Sequence, residues 1–387
     1  MNAIPPLPGS FDTAREFPIS RRWTFLNHAG VAPISARAAT AIETFAVQAR
    51  DDAYLTGKWY QQIESVRYMA ATFINAKSSE IAFIKNTSEG IAFVANGLPW
   101  RAGDQIISTK VEYPSNVYPW MDLAQRLGVV HTMLPENDGR IDPTHLAAAV
   151  TPRTRMIALS HVEYASGFQH DLVKIGKLCR ELKILLCIDG IQACGAIPVD
   201  VRAMNIDFLS ADGHKWLLGP EGAGIFYCRQ ELLPLVRPEI GWMNVINAND
   251  YGAYDFTLRP DARRFECGSL NVPGILALGE SLQLLKEVGM ATITSRIMGL
   301  NHRLVVGLQS KGYTVISSRK PGETSGIVSF TSTRHPHANL VADLERRHVI
   351  IVEREGRLRA SPHFYNTEAE IDRLLDGLPD DQPAGAQ

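Results

Sequence analysis

The chain has 387 residues, 45% of them hydrophobic and 21% charged, enough apolar material for a large core and for two or three domain-sized units. Its 39 basic and 41 acidic residues are mixed along the chain and leave a formal net charge of −2, so no nucleic acid and no anionic membrane is expected as a partner. Five cysteines, an odd number without CxxC spacing, argue against a disulfide framework or a zinc site and suit a reducing cytoplasm.

In chain order, the first segment, MNAIPPLPGSFDTAREF, carries neither the basic stretch nor the apolar core of a secretory signal. No apolar run reaches the length that crosses a bilayer. Between about Ile81 and Cys228, short runs rich in Ile, Val, Leu and Phe alternate with helical stretches. The runs are IAFIK (81–85), QIIS (105–108), VVHTML (129–134), MIALS (156–160), ILLCID (184–189), DFLSA (207–211) and GIFYC (224–228). Amphipathic segments such as LVKIGKLCRELK (172–183) lie between them. The alternation predicts an α/β fold with a mostly parallel sheet sandwiched by helices, whose ligands bind beyond the carboxyl ends of the strands. From about Leu276 the texture changes to two long helical patterns, strand candidates YTVIS, GIVSF and VIIVE, and a last helix, EAEIDRLLDGL. The expected division is a large α/β domain over 20–275, a small α+β domain over 276–378 that takes in 1–19, and a flexible tail over 379–387.

Three stretches carry chemistry. IKNTSEG breaks a strand at Asn86 and opens a helix, where Thr87, Ser88 and free backbone N–H groups suit a phosphate. No Walker loop or GxGxxG is present, which counts against a nucleotide; alone, the stretch is simply a good helix cap. In ILLCIDGIQACGA, Asp189 ends a buried strand and needs a partner, which a protonated pyridine nitrogen would supply, and Gln192 could donate to a ring hydroxyl oxygen. The plainer role for Asp189 is a helix N-cap. In SADGHKWLLGPEGAG, Lys215 follows a strand among apolar and small neighbours; desolvation there lowers a lysine pKa and favours attack on an aldehyde. The plainer reading is a surface lysine. HPH (335–337) lacks a third ligand and reads as a solvated loop, not a metal site.

Together these stretches resemble the class V aminotransferase family of fold-type I pyridoxal-phosphate enzymes, nearest the branch of cysteine desulfurases, selenocysteine lyases and isopenicillin N epimerase-like proteins. The likeness runs from LNHAG (26–30) to RLRASPHFYNTEAEID (357–372), and GHKWLLGPEGAG and CIDGIQ are its most specific parts. It implies a seven-stranded sheet and a pyridoxal 5′-phosphate cofactor held as a Schiff base on Lys215, which also moves the Cα proton. It places Asp189 and Gln192 at the ring, Thr87, Ser88 and His214 at the phosphate, and Tyr113, from VEYPSNVYPW, stacked on the ring. Arg359 would grip the substrate carboxylate, with Asn27 and His28 at the entrance. A homodimer is implied, in which Ser269 of FECGSLN (265–271) binds the other subunit's phosphate.

The departures from the family pattern are also informative. Within the cofactor-binding set, Asp212 stands where a phosphate-binding serine is common, and Tyr164 stands where desulfurases have an asparagine. Where they carry a loop with a persulfide-forming cysteine, this chain has only VIIVEREGRLRAS, and no cysteine follows Cys267. The expected activity is β-elimination on a small amino acid through a quinonoid, with C–S cleavage but no protein persulfide, in a cytoplasmic homodimer. Amino-group transfer to a keto acid is the near alternative. Epimerisation or racemisation, a non-catalytic cofactor-binding relative, and a nucleotide-binding α/β enzyme follow.

Overall fold

Each of the seven apolar runs forms a strand, and all seven join one sheet in the computed structural model, which describes residues 4–9, 11–137 and 139–382. A two-residue strand, β1 (Thr24–Phe25), precedes them. The seven are β2 (Ile81–Ile84), β3 (Gln105–Thr109), β4 (Val130–Leu134), β5 (Thr154–Ser160), β6 (Leu185–Asp189), β7 (Phe208–Asp212) and β8 (Gly224–Cys228). Their order is β2-β8-β7-β6-β5-β3-β4, with parallel pairings except that β8 runs antiparallel to both neighbours. Strands β2, β3, β7 and β8 are buried along their whole length, which is why they read as unbroken apolar runs. The amphipathic stretch after β5 is the helix Leu172–Leu182. Asp171 starts it by accepting the Lys174 N–H, and it buries Leu172, Ile175 and Cys179.

A second sheet lies in the C-terminal part. Its strands are β9 (Thr314–Val315), β10 (Val328–Thr331), β12 (Val352–Arg354) and β13 (Arg357–Ala360), antiparallel in the order β12-β13-β10-β9. The expected strand VIIVE is divided: β11 (Val349–Ile350) pairs in parallel with β1, and β12 belongs to the four-stranded sheet. Between β12 and β13, Glu355 and Gly356 take φ of 50° and 67°, the mirror-image two-residue turn that matches strand twist.

One helix spans the expected domain boundary at 275/276. The helix Val272–Val288 buries Ile275, Leu278, Leu282 and Leu285 in the cluster that also contains β2, β5 and β6 side chains, so it sides with the large sheet past residue 276. Leu26, just after β1, packs with Val328, Phe330 and Leu358 of the small sheet. The first part of the expected tail is held down: Asp381 accepts hydrogen bonds from Ser332, Thr333 and Arg334, whereas residues 383–387 lie outside the described residues.

One buried ion pair ties the segment 265–271 to the large sheet. Arg67, on the helix Trp59–Phe73, meets Glu266 at 2.5 Å with both side chains almost fully buried, and Glu266 also accepts the Phe83 N–H of β2. Removing one partner strands a buried carboxylate, at a cost of about 3–5 kcal/mol. Arg67→Met is therefore expected to lower the unfolding midpoint in denaturant, and a second change, Glu266→Gln, to recover part of the loss. Equal stability of Arg67→Met and the parent chain would show that the pair contributes nothing.

Candidate active site

Strands β3, β5, β6 and β7 end in Thr109, Ser160, Asp189 and Asp212, side by side along the carboxyl edge of the sheet. A cavity of about 490 Å³ opens at this edge. Of the twelve residues singled out in the sequence, nine line it: Asn27, Thr87, Ser88, Tyr113, Gln192, Asp212, His214, Lys215 and Arg359.

Lys215 follows β7 in a turn closed by the Leu218 N–H, and Trp216, Leu217 and Leu218 around it are buried. Its own side chain is 9% exposed, so it is no surface lysine. Burial lowers its pKa to about 8; Asp189 opposes that shift and Arg359 adds to it. Nζ lies 5.4 Å from the centroid of the Tyr113 ring, which in turn packs edge-on against Tyr164.

Asp189 is buried behind the wall of the cavity. Burial raises its pKa to about 6, against the pull of the Ile191 N–H at 2.9 Å and of Lys215. No helix follows it: turns and the isolated Cys194–Ile197 bridge occupy residues 191–197, which removes the helix-cap reading. Gly195 holds that turn against the Lys215 loop. Its φ is +98°, and an added Cβ would collide with the Trp216 carbonyl oxygen. Gln192 is locked between the two segments: its Oε1 accepts the Trp216 indole N–H at 2.8 Å and its Nε2 donates to the Ala29 carbonyl at 3.0 Å. One amide N–H remains for a ligand.

At the other end, Asn86 caps the helix Thr87–Gly97 by accepting the Glu89 N–H. Thr87 Oγ1 accepts the Asp212 N–H at 3.1 Å, which leaves its hydroxyl proton to donate. The Asp212 carboxylate is turned onto its own loop, toward the Gly213 N–H at 2.7 Å and His214 Nδ1 at 2.8 Å.

Arg359, on β13, is 1% exposed. Nη1 donates to the Tyr164 carbonyl at 2.7 Å and Nη2 to Asn27 Oδ1 at 3.2 Å, while the buried Nε has no partner. Burial, with Arg354 nearby, lowers its pKa to about 10. A buried guanidinium with neutral partners and an idle N–H has the chemistry to take an anion such as a carboxylate.

Two expected residues lie elsewhere. His28 is fully buried and both ring nitrogens are spent, Nδ1 on the Ser361 carbonyl at 2.9 Å and Nε2 on the Tyr365 hydroxyl at 2.7 Å. It seams the LNHAG segment to the SPHFYN segment rather than standing at the entrance. Ser269 is exposed and lines a separate depression with Tyr60, Arg67, Trp242 and Tyr251.

Arg354 also lines the cavity, although nothing in the local sequence marks it for that place. The turn beyond it is pinned on both sides, by the Tyr164 hydroxyl to Glu355 Oε1 at 3.0 Å and by Arg357 to Glu136 at 2.6 Å. Glu-Gly between alternating segments is the signal for that hairpin. Near Asp189, the buried carboxyls of Glu112 and Glu163 share the Thr109 hydroxyl, and His170 Nε2 meets Glu163 Oε1 at 3.1 Å. Burial lifts Glu163 to about 8 and drops His170 to about 4, which favours the neutral form of each. Among the described residues, no cysteine lines the cavity. Cys179, Cys187, Cys194 and Cys228 are buried, burial raises all four thiol pKa values, and Cys267 is exposed beside Ser269.

Residues 24–374 match the family described as aminotransferase class-V, a span that contains every residue of this cavity. The chain belongs to the class-V aminotransferase family. Within the family, a probable cysteine desulfurase of Methanothermobacter thermautotrophicus is 30% identical over 95% of this chain and 96% of its own length. Among solved structures, the cysteine desulfurase from Thermococcus onnurineus NA1 in its apo form superposes with a TM-score of 0.88 at 26% identity, covering 96% of this chain and 97% of that one. The cystine C–S lyase C-DES, in complex with its reaction product cysteine persulfide, superposes with a TM-score of 0.87 at 26% identity, covering 95% and 100%. The family's fold-type I architecture thus holds for this chain, with the mostly parallel seven-stranded sheet at its centre.

Proposed function

We propose that this class-V aminotransferase family member is a pyridoxal-5′-phosphate enzyme that cleaves the C–S bond of a small sulfur-bearing amino acid and releases the sulfur without a protein persulfide. The observation that carries it is one cavity holding Lys215, with its lowered pKa, and Arg359, with its idle buried N–H, and no thiol among the described lining residues.

The residues fit the cofactor. The Asp189 side chain is buried and accepts one hydrogen bond, from Ile191, so a ring N–H is the donor it lacks. Thr87 and Ser88 at the start of a helix, with His214, suit the phosphate, and Lys215 suits the aldehyde. When bound, the cofactor draws electrons from the substrate's Cα. Arg359 Nε and the guanidinium edge beside it take the substrate carboxylate, and Asn27 and the Tyr164 carbonyl keep that edge aimed. Lys215 Nζ, neutral in part near pH 8, removes the Cα proton. The centroid of the Tyr113 ring stands 5.4 Å from Lys215 Nζ in the same lining. Tyr164 and Arg354 complete the lining around the place where the substrate side chain would lie.

The test is to incubate the cofactor-loaded protein with cysteine, cystine and other small amino acids, following ammonia, keto acid and sulfide separately. Ammonia and pyruvate with sulfide or a small-molecule persulfide is the expected result. A keto acid with trapped pyridoxamine phosphate would replace this reading with amino-group transfer. Changing all five cysteines to serine or alanine is expected to leave turnover within about tenfold, or about 1.4 kcal/mol in the barrier. A folded single Cys→Ala variant that is inactive, with persulfide trapped on that cysteine in the parent, would refute release without a protein carrier.

The working unit we propose is a homodimer in which Ser269 contributes to the partner's phosphate site. In support, Ser269 is exposed and sits apart from Thr87 and Ser88 of its own chain, beside the exposed aromatic side chains of Tyr60, Trp242 and Tyr251. Mixing Lys215→Ala with Ser269→Asp chains should restore activity through hybrids with one intact site. No restoration, or an active monomer in sedimentation, would count against it. A reducing compartment, the cytoplasm, is the proposed location, in keeping with five free cysteines of which four are buried. Among the described residues no helix is long and apolar enough to cross a membrane.

A further inference from the structure

Asp212 is the residue least suited, at first sight, to its place. It puts a carboxylate where Thr87, Ser88 and a helix start are arranged for an anion, and Glu221 adds a second carboxylate to the same lining. Yet the Asp212 side chain is almost fully buried and both its oxygens are occupied, Oδ1 by the Gly213 N–H at 2.7 Å and Oδ2 by His214 Nδ1 at 2.8 Å. Its backbone N–H holds Thr87 Oγ1 at 3.1 Å, so the carboxylate, the imidazole and the threonine hydroxyl form one unit. His214 is left with a single nitrogen, Nε2, for a ligand.

Imidazole chemistry then decides what that nitrogen can do. A neutral ring that gives its one proton to Asp212 through Nδ1 has only a lone pair at Nε2, and an ionised phosphate oxygen, itself only an acceptor, cannot use it. The imidazolium alone donates at Nε2 while Nδ1 still donates to the carboxylate. We infer that Asp212 is a positioning residue that makes His214 a cationic ligand for the cofactor's phosphate, supplying the counter-charge the imidazolium needs in a half-buried site. The pair is neutral as a unit and replaces a hydroxyl donor by a charged one. The inference rests on the reading that the cavity takes pyridoxal phosphate. Lys215, Arg354, Arg359 and Glu221 are the other charged groups of the lining, three cations and one carboxylate.

The experiment is a sign test. Pyridoxamine phosphate, which has no aldehyde to bond Lys215, is titrated calorimetrically into the full chain freed of cofactor, between pH 6.5 and 9. Simple Coulomb repulsion makes Asp212→Asn bind more tightly, because a negative charge leaves the phosphate's surroundings. The pairing makes it bind about ten- to a hundredfold more weakly at pH 8, the loss of a charge-assisted hydrogen bond. Asp212→Ser should regain much of the affinity by donating directly. A measurement on the parent chain guards against a variant that fails to fold: in its complex, the ¹⁵N-labelled His214 ring should carry protons on both nitrogens at pH 8. Equal or tighter binding by Asp212→Asn, or a neutral His214 in the parent complex, overturns the inference while leaving the cofactor assignment intact. If neither pyridoxamine phosphate nor pyridoxal phosphate binds the parent chain, the cofactor assignment fails and the inference falls with it.

Discussion

Replacing Lys215 by alanine is expected to cut turnover by about four orders of magnitude or more, because the substitution removes both the proposed covalent anchor for the cofactor and the group proposed to move the Cα proton. The parent protein, reduced with borohydride after loading, should carry the cofactor on Lys215 in a peptide map. Uptake has a pH dependence of stated sign. Only the neutral amine attacks an aldehyde, and burial sets the Lys215 pKa at about 8. Capture of pyridoxal phosphate by the cofactor-free chain should therefore quicken as pH rises through 8 and level off above it. Label on another lysine, or none, would remove the central residue from the proposed function.

Asp189→Ala is expected to lower turnover by roughly two to four orders of magnitude while the fold survives. A buried charge pair broken from one side costs about 3–5 kcal/mol, and each 1.4 kcal/mol is a factor of ten in rate. Asp189→Glu should be milder, since the charge remains and only its placement changes. The cofactor's absorption should shift with pH in Asp189→Ala but not in the parent, a signature that a merely structural loss would not give. Near-normal turnover in Asp189→Ala would mean that the carboxylate serves only to accept the Ile191 N–H.

Much of this was legible in one dimension. Most of the seven strands announced themselves because burial on both faces favours apolar runs, whereas the edge strand β4 is only partly buried, and the ends of all seven came out within about two residues. Lys215 and Asp189 could be singled out because each stands at or just past the end of such a run, where an α/β sheet binds its ligands. The helix over 172–182 was visible from its period, and the missing cysteine loop from a simple count of residues between Val349 and Arg359. These features are local: spacing and side-chain type within a dozen residues determine them.

What only the tertiary structure decided depends on contacts across most of the chain. Arg359 meets Asn27 from 332 residues away and His28 meets Ser361 from 333, and no local period encodes either pairing. Neighbours in LNHAG are thus sent to different tasks, Asn27 to the guanidinium in the cavity and His28 to a buried seam. The division of VIIVE between two sheets follows from β1 arriving to pair with β11. Each Nη of Arg359 gives one hydrogen bond to a segment from far along the chain, and Nε is left without a partner. The direction of the Asp212 carboxylate is settled within three residues, by the Gly213 N–H and His214, but its bearing on an anion appears only once Thr87, 125 residues earlier, is folded against its backbone N–H. Local sequence determines which groups are available; the packing of distant segments determines which of their hydrogen bonds are left for a ligand.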